Sequence, residues 1–179
     1  SSTAKRLWLV YALLTIALIL LYWIGPMGMF DSICHAFSTM STGGFSTRQE
    51  SIGAWDSLYV KIVSTLFMFI GGVNFALIFK ASSGRFADVW RNQTFRAYLV
   101  VILLMFLLFD LALAFNHKVP DTVEAYTIDP LFQIVSTMTS TGYTVSNFES
   151  WGVFILALEF IMMFFGSCAG STSGGAKID

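Results

Sequence analysis

Two short stretches, Ser41-Thr42-Gly43-Gly44-Phe45 and Ser140-Thr141-Gly142-Tyr143-Thr144, set a polar, glycine-centred turn into a chain otherwise built for lipid. Each follows an apolar segment too short to cross a bilayer and precedes one long enough to do so. Irregular backbone at membrane depth is tolerated only where protein buries it or where it lines a watery cavity. The arrangement reads as two re-entrant pore loops, and an ion path is the first function class it indicates.

Composition supports a membrane setting. With 56% hydrophobic and 12% charged residues, the chain lies far from the average of soluble domains. A formal net charge of -1 with scattered basic residues argues against a nucleic-acid partner, which needs a concentrated basic surface. Two cysteines far apart, Cys34 and Cys168, do not indicate a disulfide framework. Ser1 to Arg6 contains no initiator Met, and no small-residue cleavage site closes the apolar run behind it, so both ends read as cuts within a longer polypeptide.

Four segments have the character of spanning helices, about Leu7 to Ile24, Leu58 to Phe79, Phe95 to Phe115 and Trp151 to Gly166, against a requirement of roughly 20 residues. Between them lie two shorter apolar segments, Phe30 to Met40 and Asp129 to Thr139. These are expected to be pore helices, the first capped by Asp31 or Ser32, the second begun by Asp129 with Pro130 at its first helical position. Lys5 and Arg6 precede the first span, and Lys80, Arg85, Arg91 and Arg96 crowd the link after the second, whereas the link after the third carries Asp121, Glu124 and Asp129 against Lys118. The positive-inside rule puts the 80–96 link in the cytoplasm and brings the glycine turns in from outside.

The expected fold is an all-α membrane protein: two span, pore helix, filter loop, span repeats of a potassium-channel-like pore. Residues 1–80 form one repeat, 81–94 the cytoplasmic link, and 95–179 the second repeat. Met40-Ser41-Thr42-Gly43 aligns on Thr139-Ser140-Thr141-Gly142, pairing Gly43 with Gly142, and Met68-Phe69-Ile70-Gly71-Gly72 aligns on Met163-Phe164-Phe165-Gly166-Ser167. A two-anchor internal repeat is a stronger warrant than either motif alone.

A dehydrated cation needs oxygens in place of water, and backbone carbonyls supply them without a buried formal charge. Glycine permits dihedrals that turn neighbouring carbonyls toward one axis. The candidate filter residues are Ser41, Thr42, Gly43 and Gly44 with Ser140, Thr141, Gly142 and Tyr143. The carboxyl ends of the pore helices carry partial negative charge that favours a cation there. Phe45 and Thr144 stand where a Thr-Val-Gly-Tyr-Gly filter has its second glycine, so fewer well-formed carbonyl rings and weaker exclusion of sodium are expected.

Gly166, Gly170, Ser171, Thr172, Ser173, Gly174, Gly175 and Lys177 fall in a small-residue run that must break the fourth span inside the membrane. Below a filter, such a break acts as a gating loop; otherwise it is an exit loop. It is not a nucleotide P-loop, because Gly170 to Lys177 has one residue too many and Ile178 follows the lysine.

Ser41-Thr42-Gly43-Gly44-Phe45-Ser46-Thr47, Gly71-Gly72-Val73-Asn74-Phe75, and Gly170-Ser171-Thr172-Ser173-Gly174-Gly175 with Lys177 resemble the membrane subunit of the Trk/Ktr/HKT superfamily of potassium transport proteins. The resemblance covers essentially the whole chain and matches the second and third of that family's four pore repeats. It implies potassium as the transported ion, with sodium as a second one, Gly43 and Gly142 as filter glycines, and the small-residue run as an intramembrane gate. It further implies a homodimer, a cytosolic nucleotide-binding regulatory ring and a bacterial inner membrane location. Ser167 stands where a second glycine is usual, and Ala176 where a larger apolar residue is common.

Two loops cannot encircle an ion unaided. Either the remaining pore repeats of the same subunit complete the filter, or two copies assemble as two-repeat channels do. Glu159, mid-span, reads as a functional-site residue or a structural hydrogen-bond partner. Asp110 and Lys61 are expected to reach the interface, Lys61 by snorkelling. Cys34 beside His35 is expected to pack, since two adjacent side chains make a poor metal site. No cofactor is expected. A membrane enzyme is disfavoured by the lack of an H-E-x-x-H helix or a nucleophile arrangement, and a purely structural membrane module is the remaining class.

Overall fold

A computed structural model describes residues 2–115, 123–147, 151–174 and 176–178; Lys118, Asp121 and Gly175 lie outside the described residues. The elements run α1 (Ser2–Ile24), α2 (Met29–Met40), a 3-10 turn (Ser51–Ala54), α3 (Leu58–Gly71), α4 (Phe75–Ser82), α5 (Phe86–Arg91), α6 (Gln93–Phe115), α7 (Val123–Met138), α8 (Val153–Met162), β1 (Phe165–Cys168) and β2 (Ala176–Ile178). Among the described residues the regular structure is helical, apart from a two-stranded parallel pairing of β1 with β2 that sets Phe165 opposite Ala176.

Helices α1 and α6 are long and apolar enough to span a bilayer. Each presents a stripe of exposed large residues, Trp8, Leu9, Leu13, Ile16 and Leu20 on α1 and Val100, Leu103, Leu104, Leu107 and Leu111 on α6. Patches of that extent on a soluble monomer would be unusual; they suit contact with lipid or with further membrane helices. Inside, α1 packs on α2, and α7 packs against both α3 and α6. Tyr22, fully buried on α1, bonds Ser64 of α3 at 2.8 Å and Thr39 of α2 at 3.2 Å. One hydroxyl thus ties a spanning helix to the short helix and to the span that follows it.

The second and fourth spans differ from the sequence expectation. The segment Leu58 to Phe79 is not one helix: α3 ends at Gly71, and α4 leaves at 108° to it. Two glycines weaken the helix at the break. Asn74 then starts α4 by accepting the Ala76 N–H at 2.8 Å, a strong N-cap interaction. The fourth span is helical only to Met162, and the chain is extended from Phe165, so the helix ends before Gly166.

The short helices also start differently. Helix α2 is entered from Gly28 with no side-chain cap; Ser32 donates to the Gly28 carbonyl, and Asp31 bonds the chain beyond the first turn. Helix α7 is already formed at Val123, with Pro130 inside it. Asp129 is therefore a mid-helix residue rather than a cap. Its carboxylate accepts from the buried Lys61 ammonium of α3 at 2.8 Å, and Glu124 pairs with the same ammonium at 2.8 Å. Lys61 is 8% exposed, so it pins α3 to α7 and does not snorkel.

Candidate functional site

Both short helices end in the same way. After Met40, the Ser41 N–H bonds the Phe37 carbonyl, Thr42 bonds Thr39, and Gly43 closes a wider loop onto Ser38 at 2.7 Å. After Met138, Thr139 bonds Val135, Ser140 bonds Thr137, and Thr141 bonds Ser136 at 2.9 Å. Left-handed backbone follows at matching places, Thr42 (φ +52°) and Gly44 (φ +69°) in the first turn, Ser140 (φ +54°) and Gly142 (φ +80°) in the second.

This geometry corrects the sequence alignment by one residue. Met138 takes the place of Met40, Ser140 that of Thr42, and Gly142 pairs with Gly44, not with Gly43. The signal was present in Ser38-Thr39-Met40, which recurs unchanged as Ser136-Thr137-Met138. Gly43 has no left-handed φ; a Cβ there would lie 3.3 Å from Phe45 Cδ2 and from Ser41 Oγ.

The two turns meet directly. A Cβ on Gly44 would run into the Thr141 carbonyl oxygen, so this glycine is what lets the two backbones touch. Tyr143, fully buried, donates toward the His35 and Phe45 carbonyls at 3.3 Å each, crossing from the second turn to the first. The 3-10 turn lies on the second loop as well, with the Gly53 N–H donating to the Thr144 carbonyl at 3.1 Å.

Behind the first turn, His35 holds the outgoing chain. The Asp31 carbonyl can only accept, so His35 Nδ1 carries the proton at 2.8 Å, and Nε2 accepts from the Ser46 hydroxyl at 2.9 Å. Both ring nitrogens are thereby used, and the ring packs edge-on to Trp55. Asp31, in the first turn of α2 and outside the spanning helices, accepts from Thr47 at 2.6 Å and from Arg48 at 3.1 Å. The Thr47 hydrogen bond foremost, with Arg48 in support, holds its carboxyl below the usual aspartate value.

The small-residue run lies against both turns. Thr42 donates through Oγ1 to the Thr172 carbonyl at 3.1 Å, and the Gly174 N–H donates to Ser140 Oγ at 2.8 Å. The left-handed hydroxyl residue of each turn is therefore the one that touches this loop. A β-branched residue at positive φ is strained, and Thr42 sits at that contact. Gly166 and Lys177 fall in β1 and β2, whereas Gly170, with φ +80°, and Ser171, Thr172, Ser173 and Gly174 form the loop proper. Ser171 bonds the Cys168 carbonyl and Ser173 within it.

The loop also plugs the break between α3 and α4. The Cys168 N–H donates to the Gly72 carbonyl at 3.1 Å, Thr172 Oγ1 donates to the Gly71 carbonyl at 3.1 Å, and Asn74 Nδ2 donates to the Ala169 carbonyl at 2.7 Å. Carbonyls freed by one broken span are thus satisfied by the other. Ser167, fully buried, donates to the Met138 carbonyl at the end of α7 at 3.0 Å, an anchor that glycine would not supply.

Two acidic residues lie away from these contacts. Asp110 on α6 is partly buried and keeps Oδ1 without a hydrogen-bond partner among the described residues. Glu159 on α8 is 3% exposed and faces α7, where its Oε2 accepts from Thr137 Oγ1 at 2.5 Å.

The model of a family described as TrkH, cation transport protein, matches residues 1–179. The Trk system potassium uptake protein TrkH of Salmonella typhimurium is 40% identical over 179 residues, 99% of this chain and 37% of that protein. The Trk system potassium uptake protein TrkG of Escherichia coli K12 is 32% identical over 188 residues, 99% of this chain and 36% of that one. A solved structure, that of the potassium transporter TrkH from Vibrio parahaemolyticus, superposes with a TM-score of 0.93 at 38% identity, covering 99% of this chain and 38% of that chain. The chain thus spans somewhat more than a third of the length of these relatives.

Proposed function

Because this chain belongs to the TrkH family of cation transport proteins, we propose that it supplies two of the pore repeats through which potassium, with sodium as a second ion, crosses a membrane. The relatives it matches are named as potassium uptake proteins. The observation that carries the reading is the meeting of the two turns, with the backbone of Gly44 against the Thr141 carbonyl at the carboxyl ends of α2 and α7. Backbone carbonyls of turns placed at the negative ends of two helices suit a cation that has shed part of its water.

In this reading Ser41, Thr42, Gly43 and Gly44 with Ser140, Thr141, Gly142 and Tyr143 are filter residues, and Gly44 with Gly142 take the glycine role. The loop on Thr42 and Ser140 is the gate: any cation leaving the turns on that side meets it, and the bonds at Thr42 and Ser140 let its position act on the turns. The remaining repeats of the same subunit complete the ring. Residues 1–80 and 95–179 are the two repeats, 81–94 the link. The glycine turns open to the outside of a bacterial inner membrane and the 80–96 link lies in the cytoplasm, where a regulatory nucleotide-binding ring docks on a homodimer.

The test is potassium flux through the intact subunit reconstituted in liposomes. Potassium uptake that exceeds sodium uptake without excluding it is the expected result. No flux of either ion, or strict exclusion of sodium, would contradict the reading.

A further inference from the structure

A cavity of about 330 Å³ lies beside the second turn, lined by Gln133, Thr137, Ser140, Gly142, Thr144 and Glu159 among others. One wall is the glycine turn itself: a Cβ on Gly142 would meet nothing within 4 Å. The lining also carries Glu159, whose Oε2 is held by Thr137 while Oε1 is buried and accepts no hydrogen bond among the described residues. A buried carboxylate oxygen left without a donor is costly, and a cation relieves that cost.

The polar atoms in a lining that is mostly apolar suit a hard monovalent cation. The donors are oxygens, from the Glu159 carboxylate, the Gln133 amide, and the hydroxyls of Thr137, Ser140 and Thr144. At roughly 30 Å³ per water, the space holds an ion with most of its hydration shell. Unlike the turns, it requires little dehydration.

We propose that this cavity is a second cation site, beside the second turn, in which a hydrated potassium or sodium ion is held by the Glu159 carboxylate against the flank of that turn. It rests on the proposed function for the identity of the ion, and it adds a site through which occupancy can brace the Gly142 backbone.

The test is anomalous scattering from crystals of the intact subunit grown in rubidium chloride, for the wild type and for Glu159→Gln. The expected map has a rubidium peak at bonding distance from the Glu159 carboxylate, separate from the peaks on the turns, and only that peak disappears in the variant. Peaks on the turns with none beside Glu159 in the wild type overturn the inference and leave the filter reading standing. A lateral peak that persists undiminished in Glu159→Gln assigns the site to other ligands and also overturns it. A lateral peak with none on the turns supports the inference and contradicts the filter reading. No peak at either place contradicts both. In flux assays, Glu159→Gln should raise the half-saturating rubidium concentration by about tenfold, as expected for loss of a charge-assisted contact, with the maximal rate retained; an unchanged value overturns a role in transport.

Discussion

Replacing the three loop glycines one at a time by alanine separates the register of the two turns derived from backbone geometry from the one suggested by sequence. Gly43 has no left-handed φ, and its new Cβ would lie 3.3 Å from the ring edge of the exposed Phe45. Gly43→Ala should stay within about 1 kcal/mol of the wild type, because a tolerated Gly→Ala change also restricts the unfolded chain. Gly142 sits at φ +80° with nothing within 4 Å of its new Cβ. Gly142→Ala therefore carries only the left-handed cost, roughly 1–2 kcal/mol. Gly44 has φ +69°, and its Cβ would overlap the Thr141 carbonyl oxygen. Gly44→Ala carries the same backbone cost and must also drive the two turns apart, at the expense of the Tyr143 bonds to the His35 and Phe45 carbonyls; a total of about 3 kcal/mol or more is expected from strain plus lost buried hydrogen bonds. Thermal unfolding and rubidium uptake of the intact subunit should rank the variants Gly43→Ala, Gly142→Ala, Gly44→Ala in order of increasing damage. A Gly43→Ala variant as damaged as Gly44→Ala, or a neutral Gly44→Ala, would refute the register.

Three further outcomes follow from contacts around the site. Lys61→Met leaves Asp129 buried without a counter-charge and should cost about 3–5 kcal/mol in unfolding measurements; Lys61→Met with Asp129→Leu should recover most of it. Asp31 has its carboxyl lowered by Thr47 and Arg48, so its contribution to stability is full above the ordinary aspartate value and is lost as pH falls through the lowered folded value. Asp31→Asn should therefore be less stable than the wild type near neutral pH and equal to it in strong acid; a gap that does not close with acid would remove this assignment. Asn74→Ala removes both the cap of α4 and the bond to Ala169, and should raise basal potassium flux by loosening the loop proposed as the gate, whereas unchanged flux in a folded variant would show that this contact does not restrain it.

How much of this was legible in the sequence depended on whether the signal was local. Helices α1 and α6 are continuous apolar runs, and the short helix α2 was placed to within a residue, because length and hydropathy suffice for such segments. The break after Gly71 was hidden by apolar residues on both sides, Val73 and Phe75 to Phe79, so hydropathy ran across it. Gly71-Gly72 followed by Asn74 is a helix stop and a cap in four residues and was the readable sign. The buried pairing of Lys61 joins residues 68 positions apart, which no periodicity reports. The register of the turns failed for a different reason: Gly43-Gly44 offers two glycines for one left-handed position, and only the backbone dihedrals choose between them. The sequence indicates the small-residue run only as a loop below the turns; that Thr42 and Ser140 carry the contact rests on hydrogen bonds to Thr172 and from Gly174, distant in the chain, which no local pattern reports.

The filter role of the two turns is tested most directly by the bi-ionic reversal potential, potassium on one side and sodium on the other, of the intact subunit and of its Gly142→Ala variant. Gly142 is the place to perturb, since the added methyl meets no protein atom within 4 Å and the strain falls on the left-handed backbone of the turn. A wild-type potential that favours potassium while remaining short of the ideal potassium value, moved toward zero by Gly142→Ala, is the predicted result. An unchanged potential in a variant that still conducts would contradict it.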